Sequence, residues 1–320
     1  MKNNYSFSLI LLLIINVLFS FAQPVPGKDE NIKQLVTFSR QSQTRWGDDD
    51  FAQVWYFVVP KEMTKPVYFR IFDPDVTGNL DEIKSDEESK TKFSVYGGKN
   101  AFKGKDTESS DPESNFKSGI MLASKIFGNS PEYDSKWFNF GPFNPSEGEF
   151  VEEFGGYIFK IVAEGQDGQS GNLYNYFMSS SATENKPIEG GNVFTYEYTF
   201  RVNETVGEIS HIYPFVTDDV LAVNIKVFDL DDDCYMRLVS VRKKGEKIVG
   251  SKDNEWSVSR HEIEKDERKT SLNIQVIKLR EKPNNNIVIS ITNQYDKQIP
   301  FFTIPIGGVP KFKYKIGVKN

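Results

Sequence analysis

A group of acidic residues follows an apolar segment in the first third of the chain. The segment 67–72 leads directly into Asp73, Asp75 and Asp81, and Gly78 lies between the last two. A hard cation such as Ca²⁺ takes six to eight oxygen ligands at about 2.3–2.6 Å, and closely spaced carboxylates on a tight loop can supply several of them. The spacing therefore predicts a calcium site with Asp73, Asp75 and Asp81 as ligands. The alternative is a solvated hairpin in which Asp73 and Asp75 shape the turn.

Two known types of calcium loop can be compared with this segment. An EF-hand does not fit, because position twelve counted from Asp73 is Lys84, where a bidentate Glu is required. The segment 67–82 resembles the loop of the C2 family of calcium- and phospholipid-binding β-sandwiches, in which a strand is followed by Asp-x-Asp, five residues and another Asp. The resemblance implies a calcium site at the tip of a sandwich, with further ligands from Asp48 to Asp50. The chain shows neither the family's second Asp-bearing loop nor a Lys-rich face, so membrane docking is not implied.

A second acidic run, Asp229 to Asp233, lies at the equivalent place in the second half and ends beside Cys234. The position that matches Asp81 is here Arg237. Carboxylates this close repel one another, so either a cation or solvent must screen them. Cys234 is expected to be a small packed side chain, because no His stands beside it to activate the thiol.

Aromatic side chains cluster in the segment 137–143 and make up 14% of the whole sequence. Exposed rings on a sandwich surface can stack on sugar faces, which makes Trp137, Phe138 and Phe140 candidate ligand-binding residues. The alternative is that these rings form part of an antiparallel core, where alternating aromatic residues are common.

The sequence offers few groups for nucleophilic catalysis, since it has two His and one Cys. His211 precedes a strand-like segment and His261 lies in a charged run, so neither is expected to serve a Ser-His-Asp triad. We predict no catalytic residues. A hydrolase that uses two carboxylates stays open, because 45 Asp and Glu residues are present and the sequence selects no pair among them.

The elements that must position these residues are strands. Apolar residues alternate over short runs rich in Val, Ile, Phe and Tyr, and turn-forming clusters separate the runs. The segment 118–126 is predicted as the single short helix. Strands are predicted at residues 54–59, 67–72, 156–162, 174–178, 194–202, 222–227, 271–278, 286–292 and 311–318. Many short strands without alternating helices indicate an all-β fold of antiparallel sandwiches, of the jelly-roll or C2-like type.

The two halves of the chain show similar patterns in the same order. Segments 56–75 and 157–177 are echoed by segments 213–231 and 287–302. This predicts an internal duplication, with one β-sandwich domain at residues 23–185 and a second at residues 186–320. The first predicted domain carries the excess of acidic residues, and the second is close to neutral.

The amino terminus predicts export. Residues 1–22 combine a basic start, an apolar run and small residues before Gln23, the layout of a cleaved signal peptide. No other apolar segment is long enough to span a membrane, and a net charge of −6 argues against a nucleic-acid partner. The chain resembles exported tandem β-sandwich proteins of Bacteroidota-type bacteria, a resemblance that implies no particular activity.

These observations together predict a non-catalytic, exported binding or envelope-associated protein with a calcium-stabilised loop in its first domain. Its location is expected to be periplasmic or extracellular, and its partner a protein or glycan at the cell envelope. Two alternatives stay open: a calcium-supported carbohydrate-binding module, and a carboxylate-dependent glycoside hydrolase.

Overall fold

The alternating pattern of apolar residues becomes two large antiparallel β-sheets in a computed structural model of the chain. The structure describes residues 22–107, 116–281 and 285–307. These residues contain twenty strands and three short 3₁₀ helices, at Thr44–Trp46, Pro145–Glu147 and Glu152–Phe154. Among them, no helix has the length and apolarity needed to cross a membrane. The predicted all-β, antiparallel class is confirmed.

The strands are short and follow one another closely along the chain. In order they are β1 (Leu35–Thr37), β2 (Ala52–Pro60), β3 (Val67–Phe72), β4 (Lys90–Gly97), β5 (Ile120–Phe127), β6 (Trp137–Phe143), β7 (Glu149–Val151), β8 (Gly156–Asp167), β9 (Asn172–Ser179), β10 (Asn192–Thr195), β11 (Glu197–Arg201), β12 (Ile209–Val216), β13 (Ala222–Phe228), β14 (Cys234–Val239), β15 (Lys244–Ile248), β16 (Trp256–Glu262), β17 (Thr270–Ser271), β18 (Asn273–Lys278), β19 (Asn286–Asn293) and β20 (Phe301–Phe302).

Eight strands form one sheet and twelve form the other. The eight-stranded sheet has the order β16-β13-β19-β11-β1-β9-β3-β6. The twelve-stranded sheet has the order β15-β14-β18-β12-β20-β10-β2-β8-β4-β5, with β17 beside β12 and β7 beside β8. Every pairing between these strands is antiparallel, as the frequent short turns of the sequence indicate.

Large side chains from the two sheets pack against each other to form the core. Trp55 on β2 of the twelve-stranded sheet meets Tyr174 on β9 of the eight-stranded sheet edge to face, with ring centroids 5.7 Å apart. Phe57 meets Tyr176 in the same way at 5.4 Å. All four rings are buried. The period-two alternation of each strand delivers them to one face, which is why the sequence pattern predicts the strands so directly.

Both sheets continue from the first half of the chain into the second. The predicted boundary near residue 185 lies between β9 and β10, and β10 pairs with β2 while β11 pairs with β1. The two halves are therefore joined by backbone hydrogen bonds in both sheets. The division into domains at residue 185 stays a prediction.

The structure corrects two of the predicted elements. The segment 118–126 is not a helix, because residues 120–127 form β5, which hydrogen-bonds to the edge of β4 and is largely exposed. The segment 194–202 is not one strand. It breaks at Tyr196 into β10 and β11, which belong to different sheets. The signal peptide, apart from its last residue, and the predicted strand at 311–318 lie outside the described residues.

Candidate functional site

The loop after β3, residues 73–82 and here called the β3 loop, is held in place by Asp73. Asp73 has a left-handed backbone, with φ 55°, which Asp adopts more readily than most residues. Its backbone N–H donates to the carbonyl of Lys136 at 2.8 Å, and its Oδ1 accepts the N–H of Ser135 at 2.7 Å. These bonds fasten the loop to the turn that precedes β6.

Each of the three predicted calcium ligands is buried and has one carboxylate oxygen without a hydrogen-bond partner among the described residues. These oxygens are Asp73 Oδ2, Asp75 Oδ1 and Asp81 Oδ2. The other oxygen of Asp75 accepts the hydroxyl of Thr77 at 2.5 Å, and that of Asp81 accepts the N–H of Leu173 at 2.7 Å. Burial raises the pKa of Asp73 to about 6 and that of Asp81 to about 9, and the neighbouring carboxylates add to both shifts. An oxygen-rich, underbonded cluster of this kind favours a positive charge.

The ligand atoms of one ion must also converge. The carboxylate oxygens of Asp73, Asp75 and Asp81 do not form a group in which all lie within 4.8 Å of one another. Two other acidic clusters in the described residues do so and could hold a metal ion; they are Asp49, Asp50 and Glu197, and Asp229, Asp231 and Asp253. Calcium binding by the β3 loop stays a prediction.

The loop after β13, residues 229–233 and here called the β13 loop, repeats the local geometry of the β3 loop. Asp229 has φ 58° and donates its N–H to the carbonyl of Glu255 at 3.3 Å. Its Oδ1 accepts the N–H of Asn254 at 2.5 Å. Burial, with Asp231 and Asp253 close by, raises the pKa of Asp229 to about 7. Asp253 is therefore the third acidic residue of this cluster, and the sequence analysis did not select it.

A short sequence pattern that occurs in both halves of the chain points to Asp253. The tetrapeptide 253–256 reads Asp-Asn-Glu-Trp, and the tetrapeptide 134–137 reads Asp-Ser-Lys-Trp. Each tryptophan begins the strand that pairs with the strand before the acidic loop. Trp137 packs on Phe72 and Trp256 packs on Phe228, both with ring centroids 5.3 Å apart. The same arrangement therefore occurs in both halves of the chain.

The cluster of Asp49, Asp50 and Glu197 forms where the chain passes between the two sheets. Asp50 lies just before β2 of the twelve-stranded sheet, and Phe51 between them has a left-handed backbone with φ 60°. Such a conformation is strained for a bulky residue and is found where the surrounding structure enforces it. Glu197 begins β11, immediately after the break at Tyr196 that moves the chain from one sheet to the other.

Neighbouring polar side chains fix this cluster. Asp48 accepts the N–H of Phe38 at 2.7 Å and of Phe51 at 2.9 Å, which holds the turn that carries Asp49 and Asp50. Gln53 donates its amide to the carbonyl of Thr199 at 2.6 Å and so ties β2 to β11. The carboxylates of residues 49 and 50 thus face Glu197, whereas the sequence analysis places them as further ligands beside the β3 loop.

Carboxylate oxygens of Asp49, Asp50 and Glu197 all lie within 4.8 Å of one another. Carboxyl groups this close in a buried site repel one another when ionised, which favours the protonated form. Burial raises the pKa of Asp50 to about 7, and burial together with the charge of Asp50 raises that of Glu197 well above its usual range. Trp256 Nε1 donates to Asp49 Oδ2 at 3.2 Å, and Asp49 Oδ1 is buried without a partner in the described residues. Asp50 and Glu197 therefore form a pair of carboxyl groups with raised pKa values beside a third carboxyl group.

A cavity of about 360 Å³, here called the Glu197 cavity, opens onto this cluster. Strand register builds one wall, because Glu197 pairs with Ser290, Ser290 with Lys226, and Lys226 with Val258 across the eight-stranded sheet. The residues before and after these four in their strands point their side chains into the core. The four paired residues therefore face the cavity. Trp256 and Val258 at its rim are 42% and 57% exposed, which leaves an apolar surface beside the carboxylates.

The aromatic residues that the sequence analysis selects lie on β6, at the other end of the eight-stranded sheet. Phe140 is buried, and Phe138 packs on Phe127 and Phe140 with ring centroids 5.0 and 4.9 Å apart. Trp137 is half-buried and receives the guanidinium of Arg70 over its ring at 5.1 Å. Ligand binding by Trp137, Phe138 and Phe140 stays a prediction.

The thiol and the imidazoles occupy structural positions. Cys234 is buried, and burial raises the pKa of its thiol to about 12. His211 Nδ1 lies 3.1 Å from Oδ1 of Asn273, and His261 Nδ1 lies 2.9 Å from a carboxylate oxygen of Glu246. Neither ring contacts a serine hydroxyl among its described partners, so the structure assembles no triad around them.

Comparisons with known proteins show no family for this chain. No protein-family model and no curated protein sequence matches the chain. A solved structure of N-glycanase F (PNGase F) is similar over 85% of this chain and 95% of that chain, with 6% sequence identity and a TM-score of 0.21. A likeness of that size indicates neither the fold nor the function of this chain.

Proposed function

We propose that the protein is an exported hydrolase in which Asp50 and Glu197 form the acid–base pair. The approach of their two carboxyl groups, whose oxygens lie within 4.8 Å of each other, carries this proposal, because with raised pKa values one group can hold a proton to donate while the other accepts one. The Glu197 cavity gives a substrate access to the pair. Carboxyl groups with raised pKa values beside a cavity are typical of active sites.

The pair would act on a water molecule and on the leaving group in turn. The ionised carboxylate takes a proton from a water molecule while the oxygen of that water attacks the substrate carbon. The protonated carboxyl then donates its proton to the departing atom, so the water is divided between the two products and the pair returns to its starting state. Asp49, held by the indole of Trp256, adds negative charge that keeps a proton on its neighbours.

The spacing of the carboxyl groups indicates the bond that is hydrolysed. Retaining glycosidases place their two carboxyl groups about 5–5.5 Å apart and inverting ones about 6.5–9.5 Å apart. Oxygens of Asp50 and Glu197 within 4.8 Å of each other are closer than either separation, and the pair resembles the pairs that share a proton in carbonyl hydrolysis. The proposed substrate is therefore an amide or ester, and the apolar rim of Trp256 and Val258 suits a glycan-bearing one.

The test uses H₂¹⁸O and a panel of glycopeptides, acetylated polysaccharides and plain polysaccharides. A product carboxylate that carries ¹⁸O, detected by mass spectrometry, shows carbonyl hydrolysis, whereas a new reducing end shows glycosidic cleavage. Asp50→Asn and Glu197→Gln should each reduce turnover about 10²–10⁴-fold. Asp231→Asn is the matched control, because Asp231 belongs to the other acidic cluster. Turnover that survives Asp50→Asn and Glu197→Gln would overturn the proposed acid–base pair.

A second candidate is the non-catalytic, calcium-supported binding protein that the sequence predicts, with a protein or glycan partner at the envelope. The three buried carboxylate oxygens of Asp73, Asp75 and Asp81 without hydrogen-bond partners support it. Bound Ca²⁺ would neutralise the β3 loop and order it for contact with that partner. Calorimetric titration of calcium into wild type and the Asp73→Asn/Asp75→Asn variant tests it. Absence of heat and of thermal stabilisation at excess calcium would remove this candidate.

A further inference from the structure

We propose that Asn172 supplies a fourth ligand to a calcium ion in the β3 loop, so that the ion bridges this loop to the start of β9. The proposal rests on the second candidate function, because it needs the β3 loop to bind calcium at all. The sequence analysis did not select Asn172, which lies far from the β3 loop in the chain.

The side-chain oxygen of Asn172 is the observation that points to a ligand. Asn172 is fully buried, and its Nδ2 donates to the carbonyl of Pro74, between Asp73 and Asp75, at 2.8 Å. A carbonyl can only accept, so this bond fixes which end of the carboxamide is nitrogen. Oδ1, on the same carbon, is therefore held against the β3 loop, yet it has no hydrogen-bond partner among the described residues. A buried amide oxygen left without a partner is costly.

The far end of the β3 loop is attached to the same point of β9. Leu173, the residue after Asn172, donates its N–H to Oδ1 of Asp81 at 2.7 Å. Gly171, the residue before it, exchanges two backbone hydrogen bonds with Glu82, both at 3.0 Å. Asn172 therefore lies between the contact to Asp81 and the contacts to Glu82, and both ends of the loop are attached beside its carboxamide.

The chemistry of the four oxygens selects the kind of ion. Three carboxylates and one amide are hard oxygen donors, and the cluster contains no imidazole or thiolate. Ca²⁺ accepts such a set and completes its six to eight ligands with water or backbone carbonyls at variable geometry. The carboxylates repel one another when no cation lies between them, and a bound cation would remove that repulsion. A divalent cation would satisfy all four oxygens together.

The experiment is a calcium titration of the full chain by calorimetry, with thermal melting in parallel. Asn172→Ala should weaken calcium binding at least tenfold and reduce the calcium-dependent rise in melting temperature. Asn175→Ala is the matched control, because Asn175 also donates its amide to a backbone carbonyl, that of Lys33 at 3.0 Å, but does not touch the β3 loop. Its affinity for calcium should equal that of the wild type.

A second variant separates loss of a ligand from loss of the fold. Asn172→Asp keeps an oxygen at this position and should bind calcium. Asn172→Leu fills the same space with a side chain that has no oxygen ligand, so it should not bind calcium. If the wild type binds no calcium, the calcium candidate itself fails. If the wild type binds and Asn172→Ala binds equally well, the assignment of Asn172 is wrong and the β3 loop still stands as a calcium site.

Discussion

Trp256 and Asp49 are joined by a hydrogen bond from Nε1 to Oδ2 at 3.2 Å, although they belong to opposite halves of the chain. Trp256 begins β16 at the edge of the eight-stranded sheet, and Asp49 lies in the turn before β2 of the other sheet. The bond therefore fixes the position of the rim of the Glu197 cavity relative to the carboxyl groups that line it.

Replacing the indole of Trp256 should affect substrate binding and the action of Asp50 and Glu197 differently. Trp256→Phe keeps a ring but removes the donor to Asp49, so we expect kcat to fall about tenfold with a small change in KM. Trp256→Ala also removes the apolar rim and should raise KM. Steady-state kinetics on the substrate found in the isotope experiment measures both effects. Trp137→Phe is the control, since Trp137 packs on Phe72 as Trp256 packs on Phe228 but lies on β6 at the other end of the sheet; an equal loss there would refute the positioning role.

Removing a catalytic carboxyl should stabilise the fold. Asp50 is buried beside Asp49 and Glu197, so burial and like charges act against its ionised form. Asp50→Asn should raise the melting temperature by a few degrees while turnover is lost, as is common where an active site is strained. Asp48→Asn should do the opposite, because the carboxylate of Asp48 accepts two backbone N–H groups. A lower melting temperature for Asp50→Asn would show that this carboxyl supports the fold.

Turnover should depend on pH with a maximum near neutrality. The pair works with one proton, and the pKa of Asp50 is raised to about 7 by burial. Activity should fall on the acid side as Glu197 and Asp50 both become protonated, and on the alkaline side as the last proton leaves. Asp48, Asp49 and Lys226 face the same region and will set the apparent values. A flat profile from pH 5 to 9 would contradict an acid–base role.

Glu30, a buried carboxyl that does not line the Glu197 cavity, should reduce stability as pH rises. Glu30 accepts the hydroxyl of Tyr198 at 2.6 Å, and burial raises its pKa from 4.5 to about 8. Between these values the folded state binds more protons than the unfolded state, so its contribution to stability decreases as pH increases and is constant above pH 8. Glu30→Gln should therefore gain stability relative to the wild type from about pH 4.5 to 8. Urea unfolding at several pH values measures the difference, and a constant difference would show that Glu30 ionises normally.

Much of the fold can be predicted from the sequence because strands are encoded locally. The alternation in segment 67–72 gives β3 with its predicted bounds, and segments 222–227 and 286–292 fall within β13 and β19. The two errors have one cause: segment 118–126 and segment 194–202 are read correctly only when their partners are known. Segment 118–126 forms a strand because it pairs with β4. Segment 194–202 is divided because β10 pairs with β2 in one sheet and β11 pairs with β1 in the other.

The acidic loops were visible in the sequence, whereas the acid–base pair was not. Asp73, Asp75 and Asp81 are neighbours in the chain, so their type and spacing alone suggested a shared cation. Glu197 meets Asp50 only because two sheets continue through both halves and the chain crosses between them at Tyr196. Such contacts depend on the pairing register of strands that are far apart in the sequence. The local pattern of residues carries no information about that register. The sequence by itself determined most of the strands and the acidic character of the loops, and the tertiary structure decided which distant carboxyl groups lie together.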